Sequence, residues 1–499
     1  MDRSSAVRDI EFGSDFHWIS RSLSPAEADL MSHMLSDHSI AELKNNLRGA
    51  AIEPADPDYA NACKVYNAMI HKRPRLITRC ADVADVIVSV NFARENHLLL
   101  AIRSGGHNAG GLGVVDDGLV IDLALMKYTR VDPAAFTVTV GAGCTWGDVD
   151  HATHVFGLAT PSGIISTTGV GGLTLGGGIG HLTRKCGLTI DNLLSADVVL
   201  ADGTFVKANP DENPDLFWAI RGGGGNFGVV TSFTFKLHAV DTVYGGPLFY
   251  ELSEAGDVLK WYRNLIKEAP DDLNGFFAFH TIPPAPPFPE QFHMKKMCGI
   301  VWAYTGTKAE ETFRPIRAFK KAALDLVGPL PHPALQSMFD GLYPPGLQWY
   351  WRADFVRDLS DAAIAQHLRF ANALPSMHST MHLYPINGAA SRVGNNETAW
   401  SYRDATWAQV MVGVDPDPKN NDKIISWSKS YYDALHPYSA GGAYVNFLMD
   451  EGEERVKATY GDNYERLAAI KNKYDPKNLF RVNQNIKPTV KERERAISV

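Results

Sequence analysis

Glycine is concentrated in two short stretches of this chain, and that distribution limits the fold more than any other feature. Eight glycines lie between residues 163 and 180, and four more are consecutive from Gly222 to Gly225. Glycine loses more backbone entropy on folding than any other residue, so such density is costly. The clusters therefore predict that a large ligand lies directly against the main chain.

Two glycine-rich segments, 103–111 and 167–180, have the character of phosphate-binding loops. The first follows a short apolar run, 98–102, that reads as a buried strand. Loops of this kind present backbone N–H groups to phosphate oxygens. Two of them suit the pyrophosphate of a dinucleotide better than a single phosphate.

A third cluster, 223–228, formally matches the GxGxxG dinucleotide fingerprint. That fingerprint requires a strand before it and a helix after it. Here a helix-like stretch precedes the glycines and a strand follows them, so we reject NAD binding and interpret the cluster as a turn packed under a ligand or a helix.

The order of the predicted elements indicates an α+β protein with more than one domain, since 499 residues exceed one compact core. Helices are predicted at 82–97, with Asp82 as cap, and at 464–474. Asp202-Gly203 is a hairpin signal. Strands are predicted at 98–102, 119–123, 137–141, 194–201 and 229–237. Beyond residue 241 glycine thins out and aromatic residues accumulate, which predicts a second domain to about residue 440.

Composition excludes several classes of function. The net charge is −8 with both signs interspersed, so neither nucleic acid nor an anionic membrane is an expected partner. The chain has no apolar run long enough to span a bilayer, and residues 1–18 do not resemble a secretory signal. Five widely separated cysteines without a CxxC pair indicate reduced thiols. We therefore expect a cytoplasmic protein.

An ordered set of motifs resembles one family. The motifs are Arg103-Ser104-Gly105-Gly106-His107, Gly169-Val170-Gly171-Gly172, Gly176-Gly177-Gly178-Ile179-Gly180, Gly187-Leu188-Thr189-Ile190-Asp191-Asn192, Ala201-Asp202-Gly203, Arg221-Gly222-Gly223-Gly224, Tyr444-Val445-Asn446-Phe447 and Asp475-Pro476-Lys477-Asn478-Leu479-Phe480. Each motif alone is weak, but their order is specific. The chain is similar to the berberine bridge enzyme-like family of FAD-linked oxidases, within the vanillyl-alcohol oxidase superfamily.

The resemblance implies a two-lobed FAD-binding domain of the p-cresol methylhydroxylase (PCMH) type with an inserted substrate domain, an antiparallel sheet backed by helices. The expected boundaries are 65–240 for the FAD-binding domain, 241–440 for the substrate domain and 441–499 for a segment that returns to the FAD domain. The flavin ring is expected where the two domains meet.

The resemblance also implies a covalent bond between His107 and the flavin; the alternative is that His107 only caps its loop. A second family linkage uses a cysteine, and Ile165 stands at that position, so we expect a single bond. Thr168, before Gly169-Val170-Gly171-Gly172, replaces the usual aliphatic residue that influences access of oxygen. The choice between oxidase and dehydrogenase therefore stays open.

Tyr444 is the predicted catalytic residue, because family tyrosines on this strand deprotonate or orient a substrate hydroxyl. Asn446 would point to the same side of the strand. The alternative is that Tyr444 is a core aromatic residue. The residues predicted to contact FAD are Arg103, Ser104, Gly105, Gly106, His107, Asn108, Gly110, Thr167, Thr168, Gly171, Gly172, Gly177, Gly178, Gly180, His181, Val229, Val230, Asn483 and Asn485. For the last two, turn formation is the alternative.

The remaining candidates are weaker. His151 and His154 form HxxH on a predicted helix, but no third ligand is evident and no metal site is expected. His382, Tyr384 and Arg392 are expected to face the substrate and could set specificity, although structural roles fit them equally.

The predicted function is FAD-dependent oxidation of a small organic substrate at a C–H bond next to a hydroxyl or an amine. Oxygen would take up the electrons and give hydrogen peroxide. The alternatives are a flavin dehydrogenase or cyclising enzyme with poor oxygen reactivity, and a flavin-binding scaffold without catalysis.

Overall fold

The computed structural model describes residues 35–489, and three sheets organise most of this part of the chain. Residues 1–18, for which a secretory signal was rejected, and residues 490–499 of the expected C-terminal segment lie outside the described range. Residues 43–489 form one compact unit. The α-helices are α1 Asp37–Asn46, α2 Tyr59–Ala62, α3 Val83–Glu95, α4 Trp146–His154, α5 Val170–Gly176, α6 Thr183–Cys186, α7 Pro214–Ile220, α8 Ala255–Glu268, α9 Ala309–Phe319, α10 His332–Gln336, α11 Asp361–Asn372, α12 Asn421–Leu435, α13 Glu453–Tyr460 and α14 Tyr464–Tyr474.

The first sheet has the order β1-β2-β4-β3, and its strands are β1 Ala50–Ile52, β2 Leu76–Arg79, β3 Leu100–Arg103 and β4 Leu119–Asp122. Strands β2 and β3 both run parallel to β4. Helix α3 connects β2 to β3 and is capped by Asp82, whose carboxylate accepts hydrogen bonds from the N–H groups of Ala84 and Asp85. Strand β3 therefore delivers the chain into the first glycine-rich loop.

The second sheet is antiparallel with the order β5-β6-β10-β8-β9. Its strands are β5 Thr129–Asp132, β6 Thr137–Gly141, β8 Leu193–Val199, β9 Phe205–Ala208 and β10 Val229–Lys236. Strands β8 and β9 form a hairpin around Asp202-Gly203, where Gly203 has a positive φ of 84° that favours glycine. The predicted strands and the hairpin are thus confirmed. A two-stranded ribbon pairs β7 Leu158–Ala159 with β11 His238–Ala239.

The third sheet is antiparallel and larger, with the order β15-β12-β14-β13-β18-β19-β17 and β16 beside β12. Its strands are β12 Thr242–Glu251, β13 Leu273–Thr281, β14 Lys296–Tyr304, β15 Leu324–Asp325, β16 Gly328–Pro331, β17 Gln348–Val356, β18 Thr380–Pro385 and β19 Trp407–Asp415. Helices α8, α9, α11 and α12 cover one face and share a hydrophobic core with it. The predicted α+β class, with an antiparallel sheet backed by helices, is confirmed.

The segment around Tyr444 differs from the prediction of a strand. Tyr444 immediately precedes a short 3₁₀ helix, Val445–Phe447, and no strand includes it. The predicted alternation of side chains therefore does not apply. The two side chains meet nonetheless, because Asn446 Nδ2 donates a hydrogen bond to the Tyr444 hydroxyl at 2.7 Å.

Candidate active site

One large cavity lies between the glycine-rich loops, the face of the third sheet that the helices do not cover, and the segment 444–484. The residues of the prediction that line this cavity are Arg103, Ser104, Gly105, Gly106, His107, Asn108, Thr168, Gly171, Gly172, Val230, Tyr444 and Asn483. The structure thus brings together residues that are more than 300 positions apart in the sequence.

The two glycine-rich loops touch each other at Gly105 and Gly169. A Cβ atom on Gly105 would lie 2.4 Å from the backbone nitrogen of Gly169, which is closer than any side chain permits. Ser104 Oγ donates a hydrogen bond to the Ala142 carbonyl oxygen at 2.6 Å and ties the first loop to the end of β6. Glycine is therefore required here for contact between two segments of backbone.

Arg103 is neutralised within the protein. Its Nη2 lies 2.8 Å from Asp122 Oδ2, and its Nη1 donates to the Ala62 carbonyl oxygen at 2.7 Å. Both charged side chains are buried. Since the guanidinium has these partners, Arg103 fixes the beginning of the loop.

His107 stands at the edge of the cavity against an aromatic ring. The His107 and Tyr66 rings stack with centroids 3.9 Å apart. Thr167 Oγ1 lies 3.3 Å from His107 Nε2, and Thr168 Oγ1 lies 3.4 Å from Nδ1. Burial lowers the pKa of His107 to about 4. The imidazole is therefore neutral at physiological pH and retains a nitrogen lone pair.

The Tyr444 hydroxyl is held by two donors. The backbone N–H of Gly178 donates to it at 2.9 Å, and Asn446 Nδ2 donates at 2.7 Å. Burial raises the pKa of Tyr444 to about 12, and the two donors act in the opposite direction. Because both donors point at the oxygen, the phenolic hydrogen is left to reach another acceptor.

Other predicted FAD contacts lie outside the lining of the cavity: Gly110, Thr167, Gly177, Gly178, Gly180, His181, Val229 and Asn485. Gly177 has a φ of 133°, and a Cβ there would lie 2.3 Å from the Trp400 ring, so its glycine is required by packing and by the backbone. Gly178 acts on the cavity through its bond to Tyr444. His181 is buried beside Phe276, with ring centroids 6.1 Å apart.

The third sheet contributes side chains that the sequence analysis missed. Trp349, Trp351, Thr380, Val410 and Val412 line the cavity, as do Tyr343 and Phe447 from outside the sheet. The sequence feature that could have predicted this face is the spacing of Trp349 and Trp351, because residues two apart on a strand point to the same side. His382 and Tyr384 also line the cavity. Arg392 does not, because its guanidinium is exposed and pairs with Asp271 at 2.6 Å.

His151 and His154 lie on α4 as expected for helical HxxH spacing. His151 is exposed, and His154 pairs with Asp241 at 3.3 Å. Within residues 35–489 there is no group of three or more histidine, cysteine or acidic side chains placed to hold a metal ion. In the same range, no helix has the length and apolar character needed to cross a membrane.

The cavity fits a large cofactor that lies along bare backbone. Gly172 and Gly225 both line it, and a Cβ atom on either would meet no protein atom within 4 Å. The side-chain amide of Asn483 donates hydrogen bonds from Nδ2 to the carbonyl oxygens of Gly225 and Phe480. Its buried Oδ1 has no hydrogen-bond partner among the described residues. Open backbone and an unpartnered amide oxygen suit the polar groups of a dinucleotide.

Comparison with known proteins identifies the cofactor and the class. Residues 74–209 match the family described as FAD binding domain, and residues 443–487 match berberine and berberine like. The chain is 33% identical to an FAD-linked oxidoreductase of Dictyostelium discoideum, covering 90% of this chain and 97% of that protein. It is 29% identical to (R)-6-hydroxynicotine oxidase of Paenarthrobacter nicotinovorans, covering 89% and 97%.

A solved structure agrees with these matches. The 6-hydroxy-D-nicotine oxidase of Arthrobacter nicotinovorans aligns with a TM-score of 0.80 and 26% identity, covering 89% of this chain and 98% of that one. The fold and the cavity therefore define an FAD-linked oxidoreductase. The chain belongs to the berberine bridge enzyme-like family, which confirms the resemblance inferred from the ordered motifs.

Proposed function

We propose that this protein is an oxidase that takes hydride from a C–H bond next to a hydroxyl or an amine of a small organic substrate. Electrons then pass to oxygen, giving hydrogen peroxide. The observation that carries this proposal is the Tyr444 hydroxyl, which Gly178 N–H and Asn446 Nδ2 hold at the cavity. A phenol fixed in this way can orient a substrate hydroxyl and exchange a proton with it.

The proposed division of labour follows the expected domain boundaries. Segment 65–240 together with the tail from 441 would hold the cofactor, and segment 241–440 would bind the substrate. The bare backbone at Gly172 and Gly225 belongs to the first part, and the aromatic sheet face belongs to the second. FAD, when bound, supplies the two-electron acceptor.

Proton transfer is the proposed task of Tyr444. Burial favours the neutral phenol, whereas the two donors to its oxygen stabilise the phenolate. To act as a base, Tyr444 would first give up its phenolic proton, and the two donors would stabilise the resulting phenolate. The phenolate would then accept the proton of the substrate hydroxyl and return to the neutral phenol. His181 and Asn485, which lie away from the lining, would have supporting roles.

We further propose that His107 bonds covalently to the flavin. Support comes from its neutral imidazole at the edge of the cavity and from its stack on Tyr66, which fixes the ring plane. Ile165 also lines the cavity and offers no second nucleophile. A single linkage is therefore expected.

Covalent attachment is tested by acid precipitation. The parent protein should give a yellow pellet with one FAD per chain by intact mass, and His107→Ala should release its flavin. His151→Ala, which removes an exposed histidine, is the control and should keep the colour. A colourless parent pellet would contradict the proposal.

The oxidase activity is tested by anaerobic bleaching of the flavin with candidate alcohols and amines, followed by mixing with oxygen. An oxidase should reoxidise rapidly and release one equivalent of peroxide per substrate. Thr168, which lines the cavity and contacts His107, supports a second candidate, a dehydrogenase with poor oxygen reactivity. Slow reoxidation together with fast bleaching would favour the dehydrogenase, and no bleaching by any substrate would favour a scaffold.

A cytoplasmic location is also proposed. All five cysteines are free in the structure, and the buried Cys80, Cys144 and Cys298 act as small core residues. Expected partners are the small-molecule substrate and oxygen. Localisation of a tagged protein tests this proposal.

A further inference from the structure

The alternation of side chains along β17, β18 and β19 separates two chemically different faces of the third sheet. Met381, Leu383 and Met411 point into the core shared with the helices. The opposite face lines the cavity through Trp351, Val412 and Thr380, which are paired across the three strands. This face is therefore built to contact a ligand, because its other side already supplies the core.

Five aromatic rings, which we call the aromatic wall, follow one another along this side of the cavity: Tyr343, Trp349, Trp351, Phe447 and Tyr384. The distances between the centroids of successive rings are 5.4, 5.9, 6.1 and 5.9 Å. The Tyr444 ring continues the series, 4.8 Å from Phe447. Such a surface favours a flat ligand that can stack on it or meet its edges.

The lining of the cavity, drawn from residues 66–484, contains no aspartate, glutamate or lysine. Its one permanently charged residue is Arg103, which already pairs with Asp122. An ammonium group on a substrate would therefore lose its water without gaining a counter-charge. Burial of an unpaired charge is strongly unfavourable, so the cavity selects against cations.

His382 and Tyr384, which lie on the same face of β18, supply a polar group within this otherwise apolar surface. Tyr384 Oη and His382 Nδ1 are 2.6 Å apart, and both residues are buried. Burial keeps the pKa of Tyr384 well above, and that of His382 well below, the ordinary values, so both groups are neutral. We assign the phenol as the donor to Nδ1, which leaves the proton of His382 on Nε2.

His382 Nε2 has no hydrogen-bond partner among the described residues. A buried N–H without an acceptor is unfavourable until a ligand supplies one. Nearby His280 does not supply it, because its ring centroid is 5.4 Å from that of His382 and its Nδ1 lies near Thr380 Oγ1. Because His382 lines the cavity, its free N–H group is available to donate a hydrogen bond to an oxygen atom of a ligand.

We propose that the substrate is an uncharged aromatic carbinol that stacks on the aromatic wall, places its hydroxyl at Tyr444 and offers a second oxygen to His382 Nε2–H. The inference rests on the proposed oxidase function and narrows it from hydroxyl or amine to hydroxyl. The carbinol carbon loses a hydrogen with its electron pair and the hydroxyl loses its proton, so the C–O bond becomes a carbonyl. The two electrons and two protons appear in hydrogen peroxide when oxygen is the final acceptor.

A matched pair of substrates tests the charge preference with the FAD-loaded protein. The probes are 4-methoxybenzyl alcohol and 4-methoxybenzylamine, which share the ring and the ether oxygen but differ in charge at pH 7. The alcohol should bleach the flavin anaerobically with a rate constant per dissociation constant about 100-fold higher than the amine. Equal values, or a preference for the amine, would overturn the inference.

Two variants test the residues behind this preference. Thr380→Glu places a carboxylate on the cavity face and should lower the ratio of alcohol to amine at least tenfold, whereas Thr380→Gln, of similar size, should not. His382→Phe should abolish an expected preference of about tenfold for 4-methoxybenzyl alcohol over 4-methylbenzyl alcohol. An unchanged ratio in folded, flavin-loaded Thr380→Glu, or an unchanged ether preference in His382→Phe, would contradict the assignment.

Binding separates this inference from the oxidase proposal. Each probe is titrated into oxidised holoprotein, and the change in flavin absorbance gives a dissociation constant without turnover. Tighter binding of the alcohol without bleaching would contradict the oxidase function and support the inference. Bleaching by the amine with tighter binding would support oxidation and overturn the inference, as would failure of both probes to bind.

Discussion

One side of the cavity is formed mainly by backbone atoms, and the other side is formed by side chains. On one side, which we call the glycine wall, Gly105, Gly171, Gly172 and Gly225 present main chain to the cavity. On the aromatic wall, Trp349, Trp351 and Tyr384 extend from a sheet whose backbone is occupied by its own ladder of hydrogen bonds, and Tyr343 and Phe447 join them from outside the sheet. The glycine wall can therefore contact a ligand through backbone amides, whereas the aromatic wall contacts it through particular side chains.

The two walls are also supported differently. Behind the aromatic wall lies a continuous hydrophobic core between the third sheet and its helices. Behind the glycine wall lies a buried ion pair, in which Lys471 contacts Asp475 at 2.7 Å and donates to the carbonyl oxygens of Asn226 and Phe480. Apolar packing tolerates exchange of side chains of similar volume, whereas a buried ion pair does not tolerate loss of one partner. Substrate preference can therefore vary more readily than cofactor binding.

The largest expected effect is loss of cofactor when the glycine wall acquires a side chain. Gly172→Val should fold, since no protein atom lies within 4 Å of its Cβ position and valine has a higher helix propensity than glycine. Its flavin content, measured as the ratio of absorbance at the flavin and protein bands, should fall by more than about tenfold, because the side chain fills the place of the ligand. Gly341→Val, at an exposed and open position, is the control. Normal flavin content in Gly172→Val would place the cofactor elsewhere.

The second prediction concerns chemistry next to the aromatic wall. Tyr444→Phe keeps the ring that packs 5.1 Å from Trp400, so folding and flavin content should survive. Loss of a general base typically lowers the rate by about 100- to 10,000-fold. Stopped-flow measurement should show this loss in flavin reduction, with reoxidation by oxygen almost unchanged. A reduction rate within a few-fold of the parent would make Tyr444 a packing residue and direct attention to His382.

The third prediction tests the support of the glycine wall. Lys471→Met leaves Asp475 buried without its partner and should lower the free energy of unfolding by about 3–5 kcal/mol. Lys473→Met, two residues further along α14, breaks an exposed pair with Asp215 and should cost less than about 1 kcal/mol. Urea denaturation of both variants measures the difference. Equal losses of unfolding free energy in the two variants would show that the pair between Lys471 and Asp475 does not stabilise the glycine wall.

The smallest expected effect concerns a buried carboxyl beside the second sheet. Burial raises the pKa of Asp150 on α4 to about 8, while burial lowers that of His332 on α10 to about 4. Because the folded state favours the protonated carboxyl, Asp150 lowers stability progressively as the pH rises from about 4 to about 8. Asp150→Asn should therefore raise the Tm by about 2–4 °C at pH 8, with a smaller gain at pH 5.

His332 has the opposite dependence on pH. Because burial lowers its pKa in the folded state, its contribution to folding stability is lost as the pH falls from about 6.5 to about 4. Thermal scans across this range measure both slopes. Asp358→Asn, which alters an exposed pair with Lys267, should leave the dependence on pH unchanged. A gain for Asp150→Asn that is the same at pH 5 and pH 8 would contradict the assignment.

Local sequence patterns determined much of the fold. The cap at Asp82, the turn at Asp202-Gly203 and the helix 464–474 depend on hydrogen bonds within a few residues, and all are present. The ordered motifs identified the family. The glycine clusters predicted a large ligand against the main chain, and Gly172 and Gly225 leave open space in the cavity for one. The cap, the turn and the helix could be predicted because their physical cause lies within the segment itself.

Tertiary structure alone decided the rest. The aromatic wall joins Tyr343, Trp351, Tyr384 and Phe447, which are separated by up to 104 positions. The pairing of β17 and β18 with β19 places Trp351 and Tyr384 on one face, and Tyr343 and Phe447 reach that face from outside the sheet. Gly177 is excluded from bearing a side chain by the Trp400 ring, and Tyr444 obtains its donors from a 3₁₀ turn and a distant loop. The absence of acidic and lysine side chains from the lining is likewise a property of the assembled surface. Local periodicity sets which residues share a face, but packing between remote segments sets which faces meet.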